Sequence, residues 1–373
     1  EAVRAATGEA VWSEAFDRAS DDLIGLEEAV ATEVAAGVAG RLSPRERRAL
    51  GSRVTASSRA YEQFLRGNVL MARRTVASLQ GAVEAYRAAA AADSGFADAY
   101  ARLAYAYALC STWGCGDVDS LLALARLATE RALRLDPRSS DAWMGRAYSL
   151  YVWSEFTTRA DGDDSVLASL AAFRRAVALN PRNDEAWHQF GSSLQLVSDS
   201  ASLDALRRAL ALDPARAVSY LGLSITYHLM GRVNRALETI DSALAIDPDG
   251  PYRLWRVLYR ITAGDTAGAV ADAVRTPGLS LGPVAALDAV GRDSAAIRQM
   301  EGRPRSHCDA ATAMYGLWTG RREQAVQSFL RCGPSLWTRL YLRMLALSPL
   351  ADDPRIQALR AESDRILARA RWR

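Results

Sequence analysis

The sequence contains no lysine, so all 46 of its basic residues are arginine. P-loops and protein-kinase active sites both use a lysine to hold nucleotide phosphates, and neither can be built here in its usual form. No GxxxxGK[ST] or GxGxxG run occurs either. Because 43 acidic residues are interspersed, the net charge is only +3 and no basic stripe stands out. Nucleic acid is therefore not an expected partner.

Histidine, cysteine and long apolar runs are also scarce. The three histidines, His188, His228 and His307, do not form zinc-ligand spacing with the four cysteines. No apolar run approaches the roughly 20 residues that a membrane span requires. The serine motif that begins at Gly191 lacks the second glycine of a nucleophile elbow. The sequence therefore predicts a chain that is not an enzyme, needs no metal or cofactor and has no membrane span.

One short phrase recurs along the chain. It reads RALRLDP, RAVALNP, RALALDP and SALAIDP, ending at Pro137, Pro181, Pro214 and Pro248, so successive copies are 44, 33 and 34 residues apart. Apolar residues precede each proline at helical spacing, and a second amphipathic segment follows it. Such a repeat predicts an array of helix–turn–helix units, each packed on its neighbours.

The unit from residue 215 to residue 248 resembles a tetratricopeptide repeat. The residues that carry the resemblance are Tyr220, Leu223, Ser224, Tyr227, Gly231, Ala236, Ile240, Ala243 and Pro248. The same frame fits three earlier units, which have the small residues Ala104, Ala147 and Gly191 where the two helices of a repeat would cross closely. Weaker copies contain Gly67, Gly264, Gly291 and Gly320. The resemblance implies an all-α, right-handed superhelical solenoid of about eight helical hairpins over residues 43–334. A helical cap would follow over residues 335–373.

The first 42 residues resemble the end of a TolB-like domain. Two short alternating segments flank Thr7, Gly8 and Glu9, which is a β-hairpin signal. An FDR motif and an amphipathic helix follow. In bacterial signalling proteins such a domain is joined to C-terminal tetratricopeptide repeats. The resemblance implies that residues 1–42 are the remnant of an α/β domain with a linking helix, and that the chain is the non-catalytic sensing or interaction region of such a protein.

Solenoids of this class bind protein segments along the concave face, which the first helix of each repeat lines. Side chains one turn from the packing positions are the predicted groove residues: Tyr105, Met144, Tyr148, Tyr151, His188, Gln195, Leu221, Ile225, His228, Leu254 and Leu258. They would suit an extended peptide or a helix. Superhelical closure, or the C-terminal helix, could instead bury them. A second functional reading is a self-assembling extracytoplasmic subunit whose solenoids stack into a filament or tube, making homo-oligomers.

The four cysteines fall into two local pairs. Cys308 lies near the start of one predicted helix and Cys332 near the end of its antiparallel partner, while Cys110 and Cys115 bracket an inserted turn. Two disulfides would favour an oxidising, extracytoplasmic location, either periplasmic or extracellular. Buried free thiols are the alternative, and they would leave a cytoplasmic location open.

Overall fold

The structure is a computed structural model of two compact units, residues 1–145 and residues 146–373. It describes residues 2–3, 10–12, 25, 29–30, 55–156, 160–250, 252–275, 322–344 and 350–369. His307, Cys308 and the predicted repeat glycines at 291 and 320 lie outside the described residues.

The first unit begins with strands β1 (Ala2–Val3) and β2 (Ala10–Trp12), paired antiparallel. Its helices are α1 (Ser58–Ala72), α2 (Val76–Ala92), α3 (Ala97–Trp113) and α4 (Val118–Leu135). Helix α5 (Ser140–Phe156) begins in the first unit and ends in the second. The helices confirm the predicted all-α fold. The paired strands agree with the predicted short hairpin, whose turn at residues 7–9 lies outside the described residues.

The second unit continues the repeat of paired helices. Its helices are α6 (Ala160–Leu179), α7 (Asp184–Leu194), α8 (Asp199–Leu212), α9 (Ala217–Leu229), α10 (Val233–Ile246), α11 (Tyr252–Thr262), α12 (Thr266–Val274), α13 (Arg322–Cys332), α14 (Leu336–Met344) and α15 (Pro354–Arg369). Helices α7 and α8 pack together as a hairpin, as do α9 and α10, and α11 and α12. Turn glycines Gly231 and Gly264 have φ values of 72° and 79°, which side-chain-bearing residues adopt only with strain.

The recurring phrase has the same structural role in successive repeats. The side chains of Asp136, Asn180 and Asp213 accept the backbone N–H of the residue two positions on, at 2.8, 3.0 and 3.1 Å. The following proline cannot continue a helix, so the second helix of each repeat ends there. The indoles of Trp143 and Trp187 each donate, at 3.0 Å, to the carbonyl oxygen of the preceding repeat's proline. The phrase is therefore a junction between one repeat and the next.

A glycine permits the close approach of α7 and α8. A Cβ at Gly191 would lie 2.6 Å from Leu206 Cγ and 3.0 Å from the Leu206 backbone nitrogen. Ser202 Oγ donates to the Gly191 carbonyl oxygen at 2.8 Å in the same crossing. Gly222 on α9 approaches the other side of Leu206, where a Cβ would lie 2.9 Å from Cδ2. One leucine thus fills the space between three helices, as the repeat frame predicts.

We expect Gly191→Ala to lower the free energy of unfolding by about 1–3 kcal/mol, because the added methyl group would overpack the crossing. Gly81→Ala is the matched control: it is also helical, and its Cβ would meet only the tip of Leu70, at 3.2 Å. Since alanine favours helix over glycine by about 1 kcal/mol, the control should be neutral or stabilising. Urea titration of both variants measures the difference. Equal effects at the two positions would contradict this account of the crossing.

Candidate functional site

Two of the predicted groove residues lie in the first unit, and both are buried there. Tyr105 and Met144 are fully buried. The Tyr105 hydroxyl accepts a hydrogen bond from Arg74 Nη1 at 3.3 Å, and the Arg74 guanidinium lies 5.8 Å from the centre of the Tyr105 ring. These side chains are engaged within the fold and do not line an open surface.

In the second unit, α14 contacts the last turns of α5 and the C-terminal ends of α7 and α9, where three of the predicted groove residues lie. We call the surface that contacts α14 the docking groove. It consists of Tyr151, Ser154, Glu155, Asp163, Gln195, Leu196, Asp199, His228 and Leu229. Tyr151, Gln195 and His228 were predicted from the repeat frame, whereas the others were not.

Aromatic contacts anchor the first half of α14. The Trp337 ring centre lies 5.0 Å from that of Tyr151, which in turn stacks on Tyr148 at 6.0 Å. The indole N–H of Trp337 donates to Ser154 Oγ at 2.9 Å. Only 8% of the Trp337 surface is exposed. Trp337 therefore has both an apolar surface and a hydrogen-bond acceptor in the groove.

A tyrosine and a buried carboxyl group form the next contact. The Tyr341 hydroxyl donates to Glu155 Oε1 at 2.9 Å. Burial raises the pKa of Glu155 above its ordinary value, and the hydrogen bond from Tyr341 partly offsets that rise. Burial likewise raises the pKa of Tyr341, so the phenol keeps its proton and acts as the donor at neutral pH.

The two ends of α14 meet groups that match their backbone polarity. At the first turn, the Leu336 N–H donates to Asp163 Oδ1 at 3.0 Å. A carboxylate is favoured there because the N-terminal N–H groups of a helix carry partial positive charge. At the last turn, His228 Nε2 lies 3.1 Å from the Met344 carbonyl oxygen. Since a carbonyl oxygen only accepts, Nε2 carries the proton.

Arg343 joins α14 to the ends of other helices. Its guanidinium donates to the carboxylate of Asp199, to the Leu229 carbonyl oxygen at 3.3 Å and to the Gln195 carbonyl oxygen at 3.5 Å. Helix α9 ends at Leu229, and Gln195 is the C-cap of α7. These carbonyl groups lack partners within their own helices and lie at the negative end of the helix dipole. We call this set of acceptors the arginine cradle.

The opposite side of α14 packs on its neighbours in sequence. Leu342 belongs to a buried cluster with Phe329 of α13 and Ile356 of α15, and Arg339 pairs with Asp364 of α15 at 2.7 Å. Arg339 Nη1 also lies 3.4 Å from the Leu196 carbonyl oxygen. Helices α13 to α15 thus form one packed element that presents Trp337, Tyr341 and Arg343 to the docking groove. The sequence placed α14 in a C-terminal cap and left open that a C-terminal helix would bury the predicted groove residues, but it identified none of these contacts.

The remaining predicted groove residues do not all face α14. His188 Nδ1 lies 3.2 Å from Ser219 Oγ, and the Gln195 side chain donates to the Gly222 carbonyl oxygen at 2.9 Å. Both interactions join α7 to α9. The apolar positions on α9 and α11 are half-buried or buried: Leu221, Ile225, Leu254 and Leu258. Whether any of them binds a ligand stays a prediction.

Cys110 and Cys115 are both free thiols, contrary to the predicted disulfide between them. Burial raises the pKa of the Cys110 thiol, and the neighbouring Cys115 thiol raises it further. Cys110 is also only 1% exposed, so it is a poor nucleophile. Cys332 is disulfide-bonded, and its predicted partner Cys308 lies outside the described residues.

Counting thiols in the unfolded, unreduced chain tests this assignment. We expect two reactive thiols, those of Cys110 and Cys115, because Cys332 is in a disulfide. The measurement is titration with a chromogenic thiol reagent in guanidinium, with the fully reduced chain as the reference for four thiols. A count of zero would restore the predicted Cys110–Cys115 disulfide, and a count of four would exclude the one at Cys332.

His228 makes the stability of the second unit depend on pH. Burial lowers the pKa of His228, only partly offset by its bond to Met344, and Nδ1 has no hydrogen-bond partner among the described residues. In the unfolded chain His228 takes up a proton at about pH 6.5. The unfolded state therefore binds more protons than the folded state between the lowered pKa and about 6.5, so stability falls as the pH drops through that window.

We expect the thermal midpoint to fall as the pH is lowered from about 7.5 to about 5.5, and His228→Gln to reduce that slope. Glutamine can still donate to the Met344 carbonyl oxygen but does not titrate. Scanning calorimetry at several pH values in one ionic strength provides the comparison. An identical slope in both proteins would show that other groups cause the dependence.

Metal-binding clusters and membrane-spanning helices are both absent from the described residues. No group of three or more histidine, cysteine, aspartate or glutamate side chains there has the arrangement needed to hold a metal ion. Among the helices of the same residues, none combines the length and apolar character needed to cross a membrane.

Residues 200–257 match the family model of the tetratricopeptide repeat. The match runs from α8 into α11 and confirms a tetratricopeptide repeat region where the recurring phrase predicted one. No curated protein matches the chain.

Several solved structures are similar to part of the chain. One is a thermophilic TPR protein from Thermus thermophilus, with 19% identity, 51% of this chain and 92% of that chain covered, and a TM-score of 0.43. PilF of Pseudomonas aeruginosa has 16% identity, coverages of 72% and 98%, and a TM-score of 0.40. A tetratricopeptide repeat protein from Parabacteroides merdae has 14% identity, coverages of 83% and 100%, and a TM-score of 0.39.

Proposed function

We propose that this protein is a non-catalytic scaffold that binds a helical segment of another protein in the docking groove, and that α14 occupies the groove until such a segment displaces it. The observation that carries the proposal is the position of α14 itself. A helix outside the repeat pattern contacts the last turns of α5 and the C-terminal ends of α7 and α9, which are the first helices of successive repeats. The groove therefore already has the contacts that a helix-binding site needs.

The way α14 is held is consistent with displacement. Its contacts with the groove are one aromatic cluster, several hydrogen bonds and one ion pair, whereas Leu342 on its other side lies in the apolar cluster with α13 and α15. Helices α13 to α15 could therefore leave the groove together with that cluster intact. A competing helix would have to bind tightly enough to overcome the high effective concentration of the tethered α14.

A wider role follows from the resemblance of the first 42 residues. We propose that the groove belongs to the sensing or interaction region of a bacterial signalling protein, and that this region is extracytoplasmic. Displacement of α13 to α15 would then be the change that a partner causes. The disulfide at Cys332 supports an oxidising location, while the free thiols of Cys110 and Cys115 give it no support.

The test compares the full chain with a variant in which α14 is weakened. The released variant carries Trp337→Ala and Arg343→Ala. The matched control carries Trp153→Ala and Arg365→Ala, the same substitutions at exposed positions. The probe is a fluorescent synthetic peptide with the sequence of residues 333–344, followed by anisotropy. We expect the released variant to bind at least about tenfold more tightly than the other two proteins, because only it has a vacant groove.

Two results would contradict the proposal. The first is an absence of binding to a released variant whose circular dichroism shows it to be folded. The second is equal binding to all three proteins, which would place the peptide at some other surface. Hydrogen exchange of α5, α7 and α9 with and without peptide identifies the surface directly.

Self-assembly remains a second candidate because of one exposed apolar pair. Leu124 and Leu127 of α4 are 43% and 53% exposed and lie three residues apart, on one face of the helix. A second copy of this protein could bind there and bury both side chains. Light scattering during size exclusion should then show assemblies that Leu124→Glu disrupts. A monomer at all concentrations would remove this candidate.

A further inference from the structure

We infer that the docking groove selects its partner by an arginine, and that the partner is an aromatic, basic helix bearing this arginine two residues after its second aromatic residue. The inference rests on the proposed function and names the partner of the same site. Its basis is the arginine cradle, in which one guanidinium meets acceptors from three different helices.

The cradle fits a guanidinium better than an ammonium group. The acceptors are the carbonyl oxygens of Gln195 and Leu229 and the carboxylate of Asp199. Guanidinium has five N–H donors in a rigid planar fork, so a single group can reach all three. An ammonium group is a compact, strongly hydrated point charge that leaves water only at greater cost.

Charge complementarity comes from the helices that form the cradle. Helices α7 and α9 both end there, so the negative ends of two helix dipoles face the guanidinium. Asp199 lies in the first turn of α8, where that helix favours a carboxylate. One oxygen of Asp199 pairs with Arg343, and the other is buried without a hydrogen-bond partner among the described residues. An unoccupied cradle would therefore leave concentrated negative charge without compensation.

The groove also fixes the direction and spacing of the bound helix. Asp163 accepts from the N-terminal N–H of α14, and His228 donates to its C-terminal carbonyl oxygen. A helix in the opposite direction would place its partly negative carbonyl end against Asp163. Trp337 and Tyr341 are four residues apart and share a face, and Arg343 follows Tyr341 by two. The pattern read by the groove is thus aromatic, three residues, aromatic, one residue, arginine.

Arg339 supplies a matched control inside the same helix. It lies at the edge of the groove, where its nearest groove acceptor, the Leu196 carbonyl oxygen, is 3.4 Å away. Its ion pair is with Asp364, which a free helix would not bring. Replacing either arginine removes the same charge, so any difference between the two positions reports the cradle and not general electrostatic attraction.

The experiment uses the released variant of the full chain and three peptides with the sequence of residues 333–344. One is unchanged, one has glutamine in place of the residue corresponding to Arg343, and one has glutamine in place of the residue corresponding to Arg339. Hydrogen bonds to charged groups are the strong ones, so we expect the first replacement to weaken binding about tenfold to a hundredfold. The second should weaken it by less than about threefold, because the arginine at that position has only one groove acceptor, a carbonyl oxygen at 3.4 Å.

Asp199→Asn in the released variant tests the cradle from the other side. It should reduce the difference in affinity between the unchanged peptide and the peptide that lacks the Arg343 counterpart. The loss of affinity caused by replacing the Arg339 counterpart should stay the same. Equal losses at the two arginine positions, or a difference that Asp199→Asn does not change, would overturn the inference while leaving the proposed function intact. Failure of all three peptides to bind would overturn both.

A second measurement needs no released variant. In the otherwise unchanged chain, Arg343→Lys should increase hydrogen exchange of residues 336–344, because lysine cannot bridge the three acceptors. Arg339→Lys should leave that exchange nearly unchanged. The same exchange in both variants would count against an arginine-specific cradle.

Discussion

Replacing Trp337 with alanine should lower the free energy of unfolding of the unit formed by residues 146–373 by about 3–5 kcal/mol, the usual loss for a buried tryptophan. The side chain is only 8% exposed and packs on Tyr151. Its indole also donates to Ser154, but the Ser154 hydroxyl keeps its own bond to the Tyr151 carbonyl oxygen at 2.6 Å. The loss should therefore come from the vacated volume and from the aromatic contacts, and not from a stranded polar group.

Trp153 on α5 provides the control, because 44% of its surface is exposed. Trp153→Ala should change stability by less than about 1 kcal/mol, as most surface substitutions do. Urea denaturation gives the two energies, and hydrogen exchange locates the effect. Only Trp337→Ala should raise exchange in both α14 and α5. If exchange in α5 stays unchanged while stability falls, the tryptophan stabilises α13 to α15 alone and does not contact the groove.

The repeat architecture could be predicted because its signals are local and recurrent. The phrase that ends at Pro214 has a turn-forming aspartate, a helix-ending proline and apolar residues at helical spacing within one short window. Gly191 was predictable for the same reason, since the frame places a small residue at each helix crossing. Each of these features acts on neighbours along the chain or in the adjacent repeat. The repeating sequence alone was therefore enough to predict the helix ends and the helix crossings.

The docking groove was only half predictable. The frame identified Tyr151 and His228 as residues of the inner face, but it could not decide between a bound ligand, superhelical closure and a C-terminal helix as the element that covers them. Trp337 and Ser154 are 183 residues apart, and His228 and Met344 are 116 apart, so no local pattern joins them. The one signal in the sequence was α14 itself, where two aromatic residues and two arginines each recur after four residues. That pattern is typical of a helix that needs a partner on more than one side.

Polar groups at the groove were missed because their roles depend on helix ends. Asp199 and Asp163 look like ordinary residues at the start of a helix, a setting in which acidic side chains usually face solvent. Their function here depends on a third element that approaches from elsewhere in the chain. Burial raises the pKa of Asp163, and the bond from the Leu336 N–H lowers it, so the groove holds this carboxyl group in a less aqueous setting than its sequence position indicates.

A double-mutant cycle on Arg343 and Asp199 should give a coupling energy of about 1–3 kcal/mol, the range for hydrogen bonds to charged groups. The side chains are 13% and 23% exposed, so solvent screening keeps the value below that of a fully buried pair. The variants are Arg343→Ala, Asp199→Ala and the double replacement, measured by urea denaturation. Arg343→Ala alone should cost more than Asp199→Ala, because it also leaves the carbonyl groups of Gln195 and Leu229 without their donor.

The exposed pair Arg126 and Glu130 provides the reference cycle. These side chains are 2.8 Å apart, four residues apart on α4, and 66% and 46% exposed. Such pairs couple by about 0.3–0.5 kcal/mol and weaken in salt, since the screening length falls to about 3 Å in 1 M salt. The Arg343–Asp199 coupling should largely persist there, because protein surrounds the pair and ions reach it poorly. A coupling that vanished in 1 M salt, as the reference should, would mean that the cradle is open to solvent and that the Arg343–Asp199 pair adds little to the docking of α14.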